Sequence, residues 1–501
     1  MILREAFDYE FSRLDPHGAH IDPPSVAVYE TLLVKGPDRQ AHPLLGDVAG
    51  IDADGLRWRV RLRPGLRFHS GAVCDTAAVK RSLDALRGEA QPGRDLWYWD
   101  PVETVSAEDP LTLTFRLRHP YSRLPALLWG THTAVYNEAL RRERDDFGRT
   151  LADGTGPYRL CSWSPERVTA ERWDAYPGAP ARFLRGERPR PERIEWISIV
   201  DEAERLAALD RGEVDCLHGP PLDQVAALCD DPRFVVVEHP QASSMYLALD
   251  WRRRDLGFDD IRVRSAISAA TDRRDLVERA LHGRATPTYG PVPPGDEFYD
   301  PAVDAEGVHD PALARSLLDE AGFRPGPDGI RERDGNRLVV DCVIQDDPVF
   351  HRVAAALGEQ LAPLGVRLEQ RAVKPFQPFY EAVAAGPAAS LSKWLWQDPL
   401  DAVIGFSASS NRPFPNWQHA AVPELDDAFR AWLRAGPSGE LRSCAARVQR
   451  VFANTLPYVP LLTPNDVWVH AVHVRGWQPY AANLYPFYHA VSIATEGAQD
   501  E

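Results

Sequence analysis

The residues whose types and spacing could do chemistry gather in Lys393-Trp394-Leu395-Trp396-Gln397-Asp398-Pro399-Leu400-Asp401, followed by Asn411, Asn416 and Trp417. Tryptophans offer broad apolar faces with one N–H each, and carboxylates and amides offer partners for amines and hydroxyls. The chemistry this suggests is recognition. Trp394, Trp396 and Trp417 would cover a ligand, while Asp398, Asp250 or Asn416 would meet its polar groups. Trp97 and Trp99, in a segment punctuated by Gly88, Pro92 and Gly93, extend the aromatic set. Structural readings stand beside these. Asp398 precedes a proline, which is also a helix N-cap signal, and Trp394 and Trp396 fall on one side of an extended segment, which suits core packing ahead of an aromatic binding wall.

Catalysis would need more. An enzymatic reading requires a carboxylate of raised pKa in a closed cleft, with Asp398 or Asp250 as the candidates, acting without a cofactor on an aromatic or amine substrate. No G-x-S-x-G, H-E-x-x-H, P-loop or G-x-G-x-x-G run occurs. His470 and His473 are three apart in a strand-like run and so face opposite sides. His17 and His20, flanked by Asp15 and Asp22, suit a metal or a plain loop. The cysteines at 74, 161, 216, 229, 342 and 444 form no C-x-x-C pair, so scattered thiols are expected rather than a zinc site or a disulfide framework. Only 4 lysines leave few amines for Schiff-base chemistry. The expectation is therefore no metal and no cofactor.

A chain of 501 residues exceeds one ordinary core, so two or more lobes are expected. Acidic residues outnumber basic ones 73 to 57 with no basic tract, which argues against a nucleic-acid partner. No apolar run reaches the length of a membrane span. The segment Met1-Ile2-Leu3-Arg4-Glu5-Ala6-Phe7 carries neither a charged-then-apolar leader nor a lipidation cysteine, so the chain is expected to be cytoplasmic if complete.

The elements that must position the candidate residues are clearest between Ala53 and Arg87. Asp54-Gly55 is a turn pair, and Leu56, Trp58, Val60 and Leu62 alternate with Arg57, Arg59, Arg61 and Arg63 in the period of a half-buried strand. Pro64-Gly65 breaks it, Leu66 to His69 briefly resumes it, and Asp75 or Thr76 caps a helix with Val79, Leu83 and Leu86 on its apolar face. Leu111 to Leu117 alternates and should pair with the arginine strand. Further on, Leu338 to Ile344, Val349 to Leu364 and Val366 to Glu369 read as strand, helix, strand, a right-handed parallel crossover.

The run from Asp54 to Gly71, DGLRWRVRLRPGLRFHSG, resembles the signature of the family 5 extracellular solute-binding proteins of ABC transporters, the peptide and nickel type. Gly154-Thr155-Gly156-Pro157-Tyr158, Gly212-Glu213-Val214-Asp215, Val263 to Arg273 and Ala314 to Phe323 are similar to further motifs of that family in the same order. The resemblance implies an α/β, bilobed periplasmic-binding-protein-like fold of type II, with a hinge and an extra subdomain in the first lobe. It places lobe I at 1–240 plus 466–501, with its side subdomain at about 46–150, and lobe II at 245–465. It implies a monomer that captures a small organic or peptide-like ligand between the lobes by hinge closure and, if exported, serves an ABC permease from outside the cytoplasm. Tyr29, in a Tyr-Glu-x-Leu run, would border that cleft. The peptide-binding members carry an Asp three residues after a Trp to pair with the ligand amine; here Asp398 is four after Trp394 and two after Trp396. An intracellular enzyme or ligand sensor on the same scaffold is the alternative. The Gly154 and Gly156 positions are expected to serve backbone conformation in a turn.

Overall fold

The computed structural model describes residues 1–17, 22–88, 97–184, 188–375, 377–394, 398–436, 438–477 and 488–494. The chain divides into two compact units, Met1–His239 with Asp466–Glu501, and Pro240–Asn465. It therefore crosses from one to the other twice. Among the described residues no helix is long and apolar enough to cross a membrane.

In the first unit, the buried strand Ile2–Phe7 lies parallel to both Arg193–Ser198 and Cys216–His218. Arg167–Arg172 and Tyr158–Trp163 extend the sheet antiparallel on one side, and residues 468–470 close the other. A second sheet of four strands runs in the order Gly46–Ile51, Arg57–Leu62, Thr112–Leu117, Val102–Asp109. As the alternation predicts, Trp58, Val60 and Leu62 are buried while Arg57 and Arg61 are exposed, and Arg57 to Arg61 pair with Arg116 to Thr112. Helix Thr76–Gly88 buries Val79, Leu83 and Leu86, and Asp75 caps it by accepting from the Ala78 N–H at 2.9 Å. The expected short strand over Leu66 to His69 is instead a pair of turns around Gly65 and Gly71 joined by a single bridge, Arg67 to Val73. Both glycines have positive φ, which forbids a regular strand there.

Those turns have a specific seat. The His69 N–H donates to the Gly154 carbonyl at 2.9 Å, and its Nε2 donates to the Gly156 carbonyl at 2.8 Å. Burial holds this histidine below its ordinary pKa, so the neutral tautomer makes the contact. Ser70 donates through its N–H and hydroxyl to Asp153 at 2.8 and 2.7 Å, and Asn137 reaches the same carboxylate at 2.8 Å. Two motifs 83 residues apart thus lock together. Neither Gly154 nor Gly156 sits in the left-handed region; the requirement is closeness, not turn conformation. A Cβ at 154 would stand 2.1 Å from the Val28 carbonyl oxygen, and one at 156 would stand 2.5 Å from that of Ala27.

In the second unit, Val339–Gln345 lies parallel to Arg367–Val373 and to Ala389–Lys393, with helix Pro348–Leu361 making the expected crossover. Asp347 caps that helix from the Val349 and Phe350 N–H groups, and Pro348 occupies its first turn. Met245–Leu249 then pairs antiparallel with Ala389–Lys393, and residues 459–462 follow it. Arg264 and Arg273 are buried beneath this sheet. Arg273 donates to the carbonyls of Thr288, Pro460 and Ser268 at 2.9 to 3.1 Å, and Arg264 to those of Phe258, Thr455 and Leu456 at 2.8 to 3.0 Å.

Because the atoms facing Gly154 are backbone, relief requires moving the chain. Gly154→Ala is expected to destabilise the first unit by about 2 kcal/mol or more, read as a lower Tm, whereas Gly65→Ala, which faces open space, pays only for its positive φ.

Candidate functional site

In α/β sheets the side chains available to a ligand are those just past the carboxyl ends of the parallel strands. In the first unit those ends belong to Ile2–Phe7, Arg193–Ser198 and Cys216–His218. Asp8 follows the first of them and His218 closes the third. The His218 Nδ1 lies 3.0 Å from an Asp8 oxygen and its Nε2 2.7 Å from an Asp466 oxygen, while its ring tilts against Trp468 with centroids 4.5 Å apart. Asp466 also accepts from the Trp468 indole at 2.7 Å. Burial opposes a charge on His218, but the carboxylates of Asp8 and Asp466 overcome it and raise its pKa to about 10. Burial likewise opposes ionisation of Asp466, yet the imidazolium keeps its pKa below the usual carboxylate value. Beneath them the buried Arg205 donates to the carbonyls of Ile199, Val200 and His218, which ties two of the strand ends together. Sequence reading missed Asp8, His218 and Asp466. The available signal was a charged residue directly after a short apolar run, at 8 and at 218.

In the second unit the corresponding ends are those of Val339–Gln345 and Ala389–Lys393. Ser390, Ser392 and Trp394 fall on one face in alternation, with the two serine hydroxyls 3.0 Å apart. Trp394 is buried beside Tyr458, whose ring lies 4.2 Å from Tyr246. Tyr246 meets Phe406, and Phe406 meets Trp417, at centroid separations of 6.3 and 5.3 Å. The two tryptophans are thus joined through a continuous row of rings in the interior of the unit. Asp398 stands at the N-cap position of helix Pro399–Ser407, buried, but its side chain makes no capping hydrogen bond.

The register separates the remaining candidates. Met245 pairs with Lys393 and Leu249 with Ala389, so Asp250 leaves the sheet at the end opposite Trp394. Its carboxylate is engaged by Arg252 through Nε at 3.0 Å and the terminal nitrogen at 2.7 Å. Trp417 and Asn416 belong to the Asp250 end, since the Trp251 N–H donates to the Gln418 carbonyl at 2.9 Å. Asn416 is fully buried, donating to the carbonyls of Ala408 and Ala420 at 2.9 Å and accepting from the Ala420 N–H at 3.0 Å. In the first unit, Tyr29 is in the core with its hydroxyl donated to the Leu14 carbonyl at 2.6 Å. Trp99 is buried with the Arg87 guanidinium over its ring, and Trp97 opens the same short helical turn, Trp97–Trp99. Trp396 lies outside the described residues, as does His20. His17 is fully buried against the Tyr136 hydroxyl, and among the described residues no group of three or more histidines, cysteines or acids could hold a metal.

The bridge across His218 has a defined pH range. Its folded pKa is raised, so its stabilisation is fully present below about pH 6.5 and is lost as pH rises through about 10. His218→Gln should lower stability near neutral pH by on the order of 2 kcal/mol and should remove this part of the alkaline loss in thermal melts.

The chain can be set beside known proteins on this geometry. Residues 40–413 match the bacterial extracellular solute-binding proteins, family 5 (middle). A glutathione-binding protein, GsiB of Salmonella paratyphi A, is 27% identical over 485 residues, covering 93% of this chain and 90% of that protein. Among solved structures, the oligopeptide-binding protein AppA of Bacillus subtilis, in complex with a nonapeptide, superposes with a TM-score of 0.85 at 18% identity, covering 99% of each chain. NikZ of Campylobacter jejuni, in complex with Ni(L-His), gives 0.84 at 19% identity over 98% of this chain and 99% of that one. The fold is therefore that of the type II periplasmic binding proteins expected from the motifs. With three quarters of its length matched by one family, and the signature turn seated as described, the chain belongs to the family 5 bacterial extracellular solute-binding proteins.

Proposed function

We propose that this protein captures a small peptide-like or other small organic solute and presents it to an ABC permease. The observation that carries the ligand class is the likeness along 93% of the chain to a glutathione-binding protein. Within the second unit, Asp398 supports it. A buried acid following Ala389–Lys393 in the chain suits a ligand amine, with which it would make a charge-assisted hydrogen bond. In the first unit, the corresponding strand ends offer Asp8 beside the His218 imidazolium. The chain crosses between its units at His239–Pro240 and at Asn465–Asp466, the double connection that hinge closure uses. An enzymatic reading would use Asp250 and Asp398, but the Asp250 carboxylate is committed to Arg252.

Mass spectrometry of small molecules released from the purified protein, followed by calorimetry with glutathione and with short peptides, tests the proposal. A peptide-like ligand is expected to bind, and Asp398→Asn should weaken it by at least about tenfold with the circular dichroism spectrum unchanged. Unchanged affinity in that variant would remove Asp398 from the site. Release of a ligand with no amine or peptide group would overturn the ligand class.

A further inference from the structure

Residues 488–493 are held to the first unit by two buried acids. The Tyr488 hydroxyl donates to Glu5 at 2.7 Å, and the Trp477 indole donates to the other Glu5 oxygen at 2.5 Å. Trp196 in turn donates to the Tyr488 oxygen at 2.8 Å. The next residue, His489, places its Nε2 3.5 Å from the Tyr176 hydroxyl, which donates to Glu30 at 2.6 Å. Glu5 is wholly buried and Glu30, Tyr488 and His489 nearly so. Consecutive residues of one segment therefore depend on two carboxyl groups from distant parts of the chain, the first strand and the turn after helix Pro23–Val28.

We propose that residues 488–493 form a pH-released clasp, closed while Glu5 and Glu30 are protonated and loosened as they ionise. The hydrogen-bond donors that reach the two acids are neutral: the Tyr488 hydroxyl and the Trp477 indole at Glu5, and the hydroxyls of Tyr176 and Thr155 at Glu30. The titratable groups facing Glu5 are Tyr488, Asp215, Cys216 and Tyr158; behind them stand Arg4, which is paired with Asp215, and His470, which packs on the Trp477 ring and is held below its ordinary pKa by burial. Those facing Glu30 are Tyr176, Cys74 and Arg63, with His489 beyond Tyr176, and Arg63 acts only at a distance. Burial raises both carboxyls from 4.5 to about 7, against the pull of their tyrosine and indole partners. Burial also lowers His489 to about 4, so it stays neutral and supplies no compensating charge in this range. For acids whose folded pKa is raised, the stabilisation is complete below about 4.5 and falls as pH rises through about 7. The backbone around the segment has few alternatives. Arg475 and Ser492 pair as a two-residue ladder with Val474 and Ile493, and a Cβ on Gly476 would stand 2.2 Å from the Ala490 carbonyl oxygen.

Hydrogen–deuterium exchange of the full chain at about pH 5 and about pH 8.5, corrected for intrinsic rates, tests the clasp. Peptides spanning 488–494 should exchange at least about tenfold faster at the higher pH. In the Glu5→Gln, Glu30→Gln double variant that factor should fall to about one. No acceleration in the parent chain, or the same acceleration in both, would overturn the proposal. Should the double variant not fold, the infrared band of protonated carboxyl groups in the parent decides. The part of that band removed by Glu5→Gln or Glu30→Gln singly, Asp22 supplying a further buried acid, should persist to near-neutral pH, and its complete loss by about pH 5.5 sinks the clasp.

Discussion

Two backbone oxygens, those of Ala27 and Val28, set the terms for much of the first unit. They approach the chain at 156 and 154 so closely that no side chain fits there. With the backbone held at that distance, the carbonyls of Gly154 and Gly156 point at His69, and Asp153 is left to gather Ser70 and Asn137. The turns that follow the arginine strand are thereby anchored to the start of Tyr158–Trp163 by a partly buried set of hydrogen bonds. The same contact fixes where Tyr29 and Glu30 emerge from helix Pro23–Val28, and so where the acid that receives Tyr176 can stand.

A second pattern is the use of buried arginine as a brace for main-chain carbonyls. Arg205, Arg264 and Arg273 each direct their nitrogens to three or more carbonyl oxygens from separate segments, and Arg264 also lies 3.9 Å over the Trp251 ring. A planar fork with five donors can satisfy strand and helix ends that converge from different directions, which a lysine ammonium cannot do. Desolvation still costs something, since both Arg264 and Arg273 are lowered to about 10, yet they remain charged at neutral pH. The near absence of lysine in the sequence, which looks compositional, coincides with a structural use that only arginine can serve.

Local periodicity carried most of the fold. The arginine strand, its partner Thr112–Leu117, helix Thr76–Gly88 and the parallel crossover around Pro348–Leu361 all follow from spacings within a few residues. Strand Val459–Ala471 followed only in part: its second half lies in the strand-like run around His470, whereas Pro460 and Pro464 lack the N–H a ladder uses and read as breaks, although both lie inside it. Site residues were harder for a related reason. Composition marks aromatic and acidic groups, but register decides which end of a sheet each occupies, and register put Asp250 at the end opposite Trp394. Trp394, for which core packing stood beside a ligand-covering role, and Trp417 are members of one row of rings. His218 and Asp466 are separated by 248 positions, and no local pattern could join them.

The division of the chain has a consequence for synthesis. The second unit is one uninterrupted run, Pro240–Asn465, so every partner it needs is available once residue 465 has left the ribosome. The first unit is not so favoured: Asp8 and His218 wait for Asp466, and Glu5 waits for Trp477 and Tyr488. Its early strands must stand with a buried acid unpartnered while more than two hundred residues of the other unit are made and folded. Strands made before the second unit are thus completed only after it.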